Sequence, residues 1–287
     1  MTTPTTTTTA STTTSQEASA PGYRVTALRL LRAELIRFVT VRSNVVTTAA
    51  LGLLMVLVGV VAAATSTGDV AGVGPGGAPG PGFAGTDPLA TVLAGSTPGV
   101  LVVGVLGVLV GAREYGSGMI RTTLSAAPRR VGVLLARMGA FVTVVLPVTV
   151  VASLVAYFAG SAILTAGDAQ TVAWADPGVA RAVIGTGAYL AGVGVLGVCL
   201  GVLTRSIGQG IGWLVGLVVV IPGFGAILLP DDWQDALMYL PSNAGAAFTT
   251  ITDSTSHLGV GAGTAVFVAW VVAFAAAAAV ALRRRDV

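Results

Sequence analysis

The sequence predicts an all-α integral membrane protein with six transmembrane helices and both termini in the cytoplasm. Three observations carry this. Charged residues are only 9% of the 287 and hydrophobic ones 54%, where a soluble domain carries about 25% charged. Mean hydropathy is +0.88, and charge this sparse cannot cover the surface of a 28.4 kDa water-soluble globule. Six uncharged apolar runs, at approximately 44–65, 89–112, 138–165, 182–204, 206–229 and 259–282, each reach the ~20 residues needed to cross the hydrocarbon core.

The elements follow in chain order. Residues 1–22 are a Thr-rich tract, with ten Thr in the first 14 positions, and are expected to be a disordered cytoplasmic tail. Residues 23–287 form the membrane domain. In 23–42, Val25, Leu28, Leu31, Leu35 and Phe38 recur at spacings of three and four with Arg29, Arg32, Glu34 and Arg37 between them. That pattern predicts an N-terminal helix lying in the cytoplasmic interface, with Leu30 and Ile36 off its apolar stripe. Ala62-Ala63-Ala64 resembles a signal cleavage site, but 44 residues precede the first crossing's apolar core, so span one is expected to stay uncleaved. Residues 66–88 are Gly/Pro-rich and read as a flexible outer loop. Pro98, Pro147 and Pro222 fall within spans two, three and five, where Pro marks a kink or a reset helix end.

Between spans two and three, Ile120, Leu124 and Ala127 make a short helical stripe that ends at Pro128. Such a helix suits a partner groove or the membrane surface. Glu114 at a helix C-terminus is disfavoured by the dipole, so it belongs at the start of that short helix or paired with Arg113 or Arg121. In the outer connection 230–258, Pro230-Asp231-Asp232 is a helix-start signal, and Trp233, Leu237 and Leu240 follow until Pro241. This predicts a short outer interfacial helix. Asp231 and Asp235 share a face, but capping and hydration account for them and no metal site is expected. Gly107/Gly111, Gly197/Gly201, Gly212/Gly216 and Gly259/Gly263 fit the spacing that lets helix backbones approach. Cys199, inside span four, reads as a small buried hydrophobe. His257 is expected to be interfacial.

Orientation rests on arginine. Of the 15 Arg, only Arg181 lies in the set of loops that also holds Asp69, Asp87, Asp168, Asp176, Asp231, Asp232, Asp235 and Asp253. The other Arg flank the opposite ends, which the positive-inside rule assigns to the cytoplasm. Arg181 begins span four at the outer interface, where its side chain can snorkel to the headgroups.

Composition also removes chemistries. There is no Lys, one His and one Cys, so a P-loop, a Schiff base, a His/Cys zinc site and an internal disulfide are all excluded. Proton coupling normally uses intramembrane carboxylates or His, and the six spans hold none. An intramembrane protease would need a Ser–His or Asp pair at membrane depth, again missing. A secondary transporter or channel with sodium bound by broken-helix carbonyls near Pro98 or Pro222 remains open. A non-catalytic assembly anchor explains the topology but not the short helix between spans two and three.

The run Glu114-Tyr115-x-x-Gly118-x-x-Arg121-Thr122-Thr123-Leu124, followed by Pro128-Arg129-Arg130 and a third span, resembles the permease subunits of type-two ABC exporters. The early basic helix, six spans and the Arg283–Arg285 end agree with it. The resemblance implies a permease that moves its substrate by alternating access, with ATP hydrolysed on a separate cytoplasmic ATPase subunit and no cofactor or catalytic residue in this chain. It further implies a second permease subunit, as homo- or heterodimer. Contact with the ATPase would run through the N-terminal helix and a coupling helix bearing Arg113, Glu114, Gly118, Ile120, Arg121 and Leu124. The expected location is the plasma membrane, with lipid and these subunits as partners and no nucleic acid.

Overall fold

A computed structural model describes residues 26–67, 87–116, 130–228, 230, 235–251 and 258–284. The protein is an all-α, multi-pass membrane protein, and every regular element among those residues is helical. The interfacial helix α1 spans Ala27–Thr40, and α2 (Arg42–Ser66) is the first crossing. A short helix α3 (Pro88–Val92) precedes α4 (Ser96–Gly116). Then come α5 (Arg130–Ala166) and α6 (Val179–Thr204). The fifth crossing is composite: α7 (Ile207–Val215) continues through a π-helical turn, Gly216–Val220, into α8 (Ile221–Leu228). The chain finishes with α9 (Pro241–Thr249) and α10 (Val260–Arg284). Six helices among the described residues are long and apolar enough to cross a membrane, one for each predicted run.

Three departures from the predicted spans have local causes. The second run is broken. Asp87 caps α3 by accepting a hydrogen bond from the Leu89 N–H at 2.9 Å, with Pro88 at the first helical position. The chain then turns through 93–95 before α4 begins. A Cβ on Gly95 would overlap the backbone of Met55, so only glycine lets that turn rest on α2. The third run extends backward to Arg130. Its 37 residues make a helix of about 55 Å, well beyond the ~30 Å hydrocarbon core, and they bring Arg137 into a helix rather than a loop. In the fifth run, the Ile221 N–H reaches the Gly216 carbonyl. Pro222, next in sequence, has no N–H and its ring crowds the carbonyl four residues back, which the widened turn accommodates.

Helix α6 is the hub. In its most apolar stretch 78% of residues are buried, against 17% in the fifth and sixth crossings. Lipid is as apolar as leucine, so water exclusion cannot drive these helices together; close packing must. Glycine supplies it. A Cβ on Gly107 or Gly111 would strike the backbone at Gly194 or Val198, and one on Gly197 or Gly201 would strike the backbone at Gly104 or Val108. Thus α4 and α6 meet backbone to backbone. Across the α5–α6 contact, the Thr149 hydroxyl donates to the Gly187 carbonyl at 2.9 Å. Cys199 is fully buried in this core, as expected.

At the arginine-poor end, Leu89, Val92, Tyr157, Leu164 and Val179 form a second core. Arg181 donates to the Thr250 carbonyl at 3.0 Å, tying the start of α6 to the segment that follows α9. The predicted helix before Pro241 is seen only in part: Trp233 and the Asp231-Asp232 signal lie outside the described residues, 235–237 is helical, and the chain turns through 238–240. Pro241 also opens the next helix. Pro at a helix start loses no hydrogen bond, and α9 buries Ala244, Ala247 and Phe248 against the bundle. The Thr-rich tail 1–22 and His257 also lie outside the described residues.

Candidate functional site at the arginine-rich end

The site is assembled where α1, the first turn of α2, the last turns of α4 and the extended start of α5 converge. Residues three and four apart on a helix share a face, so Glu34, Arg37, Phe38 and Val41 point together from α1 and its C-cap. Phe38 is buried and meets Phe141 of α5 edge to face, with ring centroids 6.0 Å apart. Gly139 admits the Leu31 side chain against α5. The packed side of α1 is therefore Leu31, Glu34, Leu35 and Phe38, whereas Leu28 and Ile36 are exposed. The predicted stripe is right at its C-terminal half and rotated at Leu28, because Glu34 is drawn inward.

The reason is Arg137. Its side chain is only 5% exposed, and its Nη2 lies 3.6 Å from Glu34 Oε1. Arg37, one turn on along α1, places Nη1 3.8 Å from the same oxygen. Arg113, near the end of α4, donates to the Ser43 hydroxyl at 3.2 Å. Glu34, Arg37, Arg113 and Arg137, with Phe38, Val41, Asn44, Val110 and Ala140, line a cavity of about 40 Å³. That is room for two or three waters. Asn44 is buried, and its Oδ1 accepts no hydrogen bond.

Among the coupling residues predicted from the sequence, Arg113 lines this cavity, and Glu114 is the next residue along the last turn of α4. Gly118, Ile120, Arg121 and Leu124 lie outside the described residues, between the end of α4 at Gly116 and the start of α5 at Arg130. Glu34, Arg137 and Asn44 are the site residues that sequence reasoning passed over. The available signal was Glu34 itself, the one acid in the basic segment before the first crossing. A second cationic contact lies nearby: Arg205 closes α6 in the left-handed conformation, φ 55°, and stacks its guanidinium 5.4 Å from the Tyr115 ring centre.

Chemically, the cavity offers guanidinium and amide donors and one carboxylate. Among the described residues no three of His, Cys, Asp and Glu gather into a metal-ligand set. The arrangement suits fixing helices against one another. No protein-family model matches the chain, and no curated protein is significantly similar to it.

Proposed function

We propose that the chain is the membrane-spanning permease subunit of a type-two ATP-binding cassette exporter, working in the plasma membrane with its arginine-rich end in the cytoplasm. A separate ATPase would hydrolyse ATP, and this chain would carry no catalytic residue. The observation that supports the reading best is the docking of α1 on the extension of α5 through Glu34 and Arg137. Segment 117–129, which carries most of the resembling motif, joins the end of α4 to the start of α5. A partner that pushed there would act on α1, α4 and α5 together, and α4 and α5 both pack directly on the central α6. Coupling needs such a mechanically continuous element.

A second permease subunit is part of the proposal. Gly208, Gly212 and Gly216 follow at four-residue spacing on the fifth crossing with no atom near the Cβ position, and Trp213 is 66% exposed. A face of this kind admits another helix closely.

The test is purification of the full chain from its native membranes in a mild detergent, followed by mass spectrometry and an ATPase assay. Stoichiometric recovery of a P-loop ATPase, lost when 117–129 is altered, is the expected result. A chain that purifies alone under several mild conditions overturns the reading in favour of a secondary transporter or an anchor.

A further inference from the structure

We infer that the connection between α5 and α6, residues 167–178, is an anchor in the lipid headgroup layer at the arginine-poor end, with Phe158 and Trp174 as the side chains that enter that layer. The inference rests on helix register and exposure and holds whether or not an ATPase binds this chain. Three helices mark the same level. Gly52 of α2 faces Val148 of α5, so Ala62, ten positions on, stands level with Phe158. Arg42 to Ala62 is 20 positions and Arg137 to Phe158 is 21. At about 1.5 Å per residue each rises about 30 Å, the thickness of the hydrocarbon core. Helix α6 runs back alongside α5, and the Thr149 hydroxyl donates to the Gly187 carbonyl. Nine positions past Thr149 therefore meets nine before Gly187, which sets Phe158 level with Gly178 at the start of α6.

Exposure shows that this level is open on the lipid side. Val151, Val155 and Phe158 follow at i, i+4 and i+7 and are all exposed, one face of α5. The next positions on that face, Ala162 and Thr165, are also exposed but small or polar. The last two turns of α5, to Ala166, rise about 12 Å further, and the chain must descend again to Val179. It is pinned on the way. The Ala169 N–H donates to the Leu164 carbonyl at 2.9 Å, the Tyr157 hydroxyl to the Val172 carbonyl at 2.7 Å, and the Ala173 N–H to the Asp176 carboxylate at 2.8 Å. Trp174 is thereby set against Tyr157 and Phe158, its ring centre 5.4 Å from each of theirs. It keeps 38% of its surface exposed, and its indole N–H donates to none of the described residues. The Trp270 N–H, by contrast, is taken by the Tyr239 carbonyl at 2.7 Å. A tryptophan with a packed apolar body and a free N–H suits the headgroup layer, whose ester and phosphate oxygens accept hydrogen bonds. Anchored there, the α5–α6 pair can tilt but resists sliding along the bilayer normal.

The test uses the full chain in phosphatidylcholine vesicles and reads the tryptophan fluorescence of the native chain minus that of Trp174→Phe. Three quenchers are compared: a nitroxide on the lipid headgroup, bromine at the middle of the acyl chain, and iodide in the water. The difference signal should be lost most strongly to the headgroup nitroxide. Any other order overturns the inference: iodide first would place the connection in water, and mid-chain bromine first would place it inside the hydrocarbon. Ala175→Cys, on the exposed turn beside Trp174 and carrying a polarity-sensitive thiol dye, repeats the reading with the aromatic cluster intact. The headgroup nitroxide should again quench most, and a dye that responds only to iodide overturns the inference as well.

Discussion

Arg137 places its guanidinium 3.6 Å from the carboxylate of Glu34, joining the interfacial helix α1 to the extended start of α5. Removing one partner of an enclosed ion pair costs about 3–5 kcal/mol when burial is complete. Glu34 is 13% exposed and also has Arg37 nearby, so the expected loss lies toward the bottom of that range. Glu34→Gln should therefore lower the thermal unfolding midpoint of the purified chain. It should also raise protease accessibility along α1. The exchange Glu34→Arg with Arg137→Glu should recover part of the loss. An unchanged midpoint in Glu34→Gln would show that α1 is held by Phe38 and Leu31 alone.

Glycines in the same chain divide into two groups with opposite expectations. Gly107 and Gly197 face backbone across the α4–α6 contact, and Gly212 and Gly216 face open space. Gly107→Val or Gly197→Val must separate two helices whose obstacle is main chain and cannot yield. Overpacking of this kind costs about 1–3 kcal/mol, and both variants should show it as reduced monodisperse yield and earlier melting. Gly212→Ala and Gly216→Ala should be neutral or slightly stabilising within the single chain, since alanine is favoured over glycine in a helix by about 1 kcal/mol. Melting curves in detergent decide between the groups, and equal losses at all four positions would contradict the packing described.

Membrane orientation can be read with a thiol probe because Cys199 is fully buried. The native chain should react poorly with an impermeant maleimide. Ala175→Cys, on the exposed turn before α6, should label in intact cells. Arg284→Cys, exposed at the end of α10, should label only after permeabilisation, as the positive-inside rule requires. The reverse pattern would place the arginine-rich end outside and remove the basis for a cytoplasmic ATPase partner.

What was legible in the sequence follows a physical division. Six apolar runs and a one-sided arginine distribution are properties of composition, and each run corresponds to a membrane-length helix. The Gly107/Gly111 and Gly197/Gly201 spacings mark a real close contact, yet Gly212/Gly216 has the same spacing and no neighbour within the chain. Spacing says that a backbone can approach and not what approaches it. The break at 93–95 was hidden because Leu93 and Ala94 are as apolar as the spans around them. Pro241 was ambiguous, since proline follows one helix as readily as it starts another. The candidate site was half legible: Arg113 stood next to a recognisable motif, whereas Glu34 and Arg137 are about a hundred positions apart and only the fold brings them together.

The coupling proposal makes the sharpest functional prediction. If segment 117–129 seats in a groove of an ATPase, its apolar stripe must be buried there, and a carboxylate at Leu124 would be left without compensation in that groove. Leu124→Asp should therefore separate the two activities, with ATP hydrolysis by the recovered complex persisting while export falls. Glu114→Arg should act similarly, by reversing charge at the point where α4 ends beside Arg113. Coupling free energies between sites are about 1–3 kcal/mol, so losing one corresponds to roughly a 5- to 150-fold fall in transport per ATP hydrolysed. The readout is efflux of a solute whose export is lost when the chain is deleted, measured beside phosphate release. Membrane insertion, checked by the maleimide pattern of Ala175→Cys, should be unaltered in both variants. Native efflux in both would mean that the segment does not transmit force, even if an ATPase copurifies. Loss of the ATPase from the complex would instead identify Leu124 as an anchoring contact, with coupling then tested through Glu34→Gln at the α1–α5 junction.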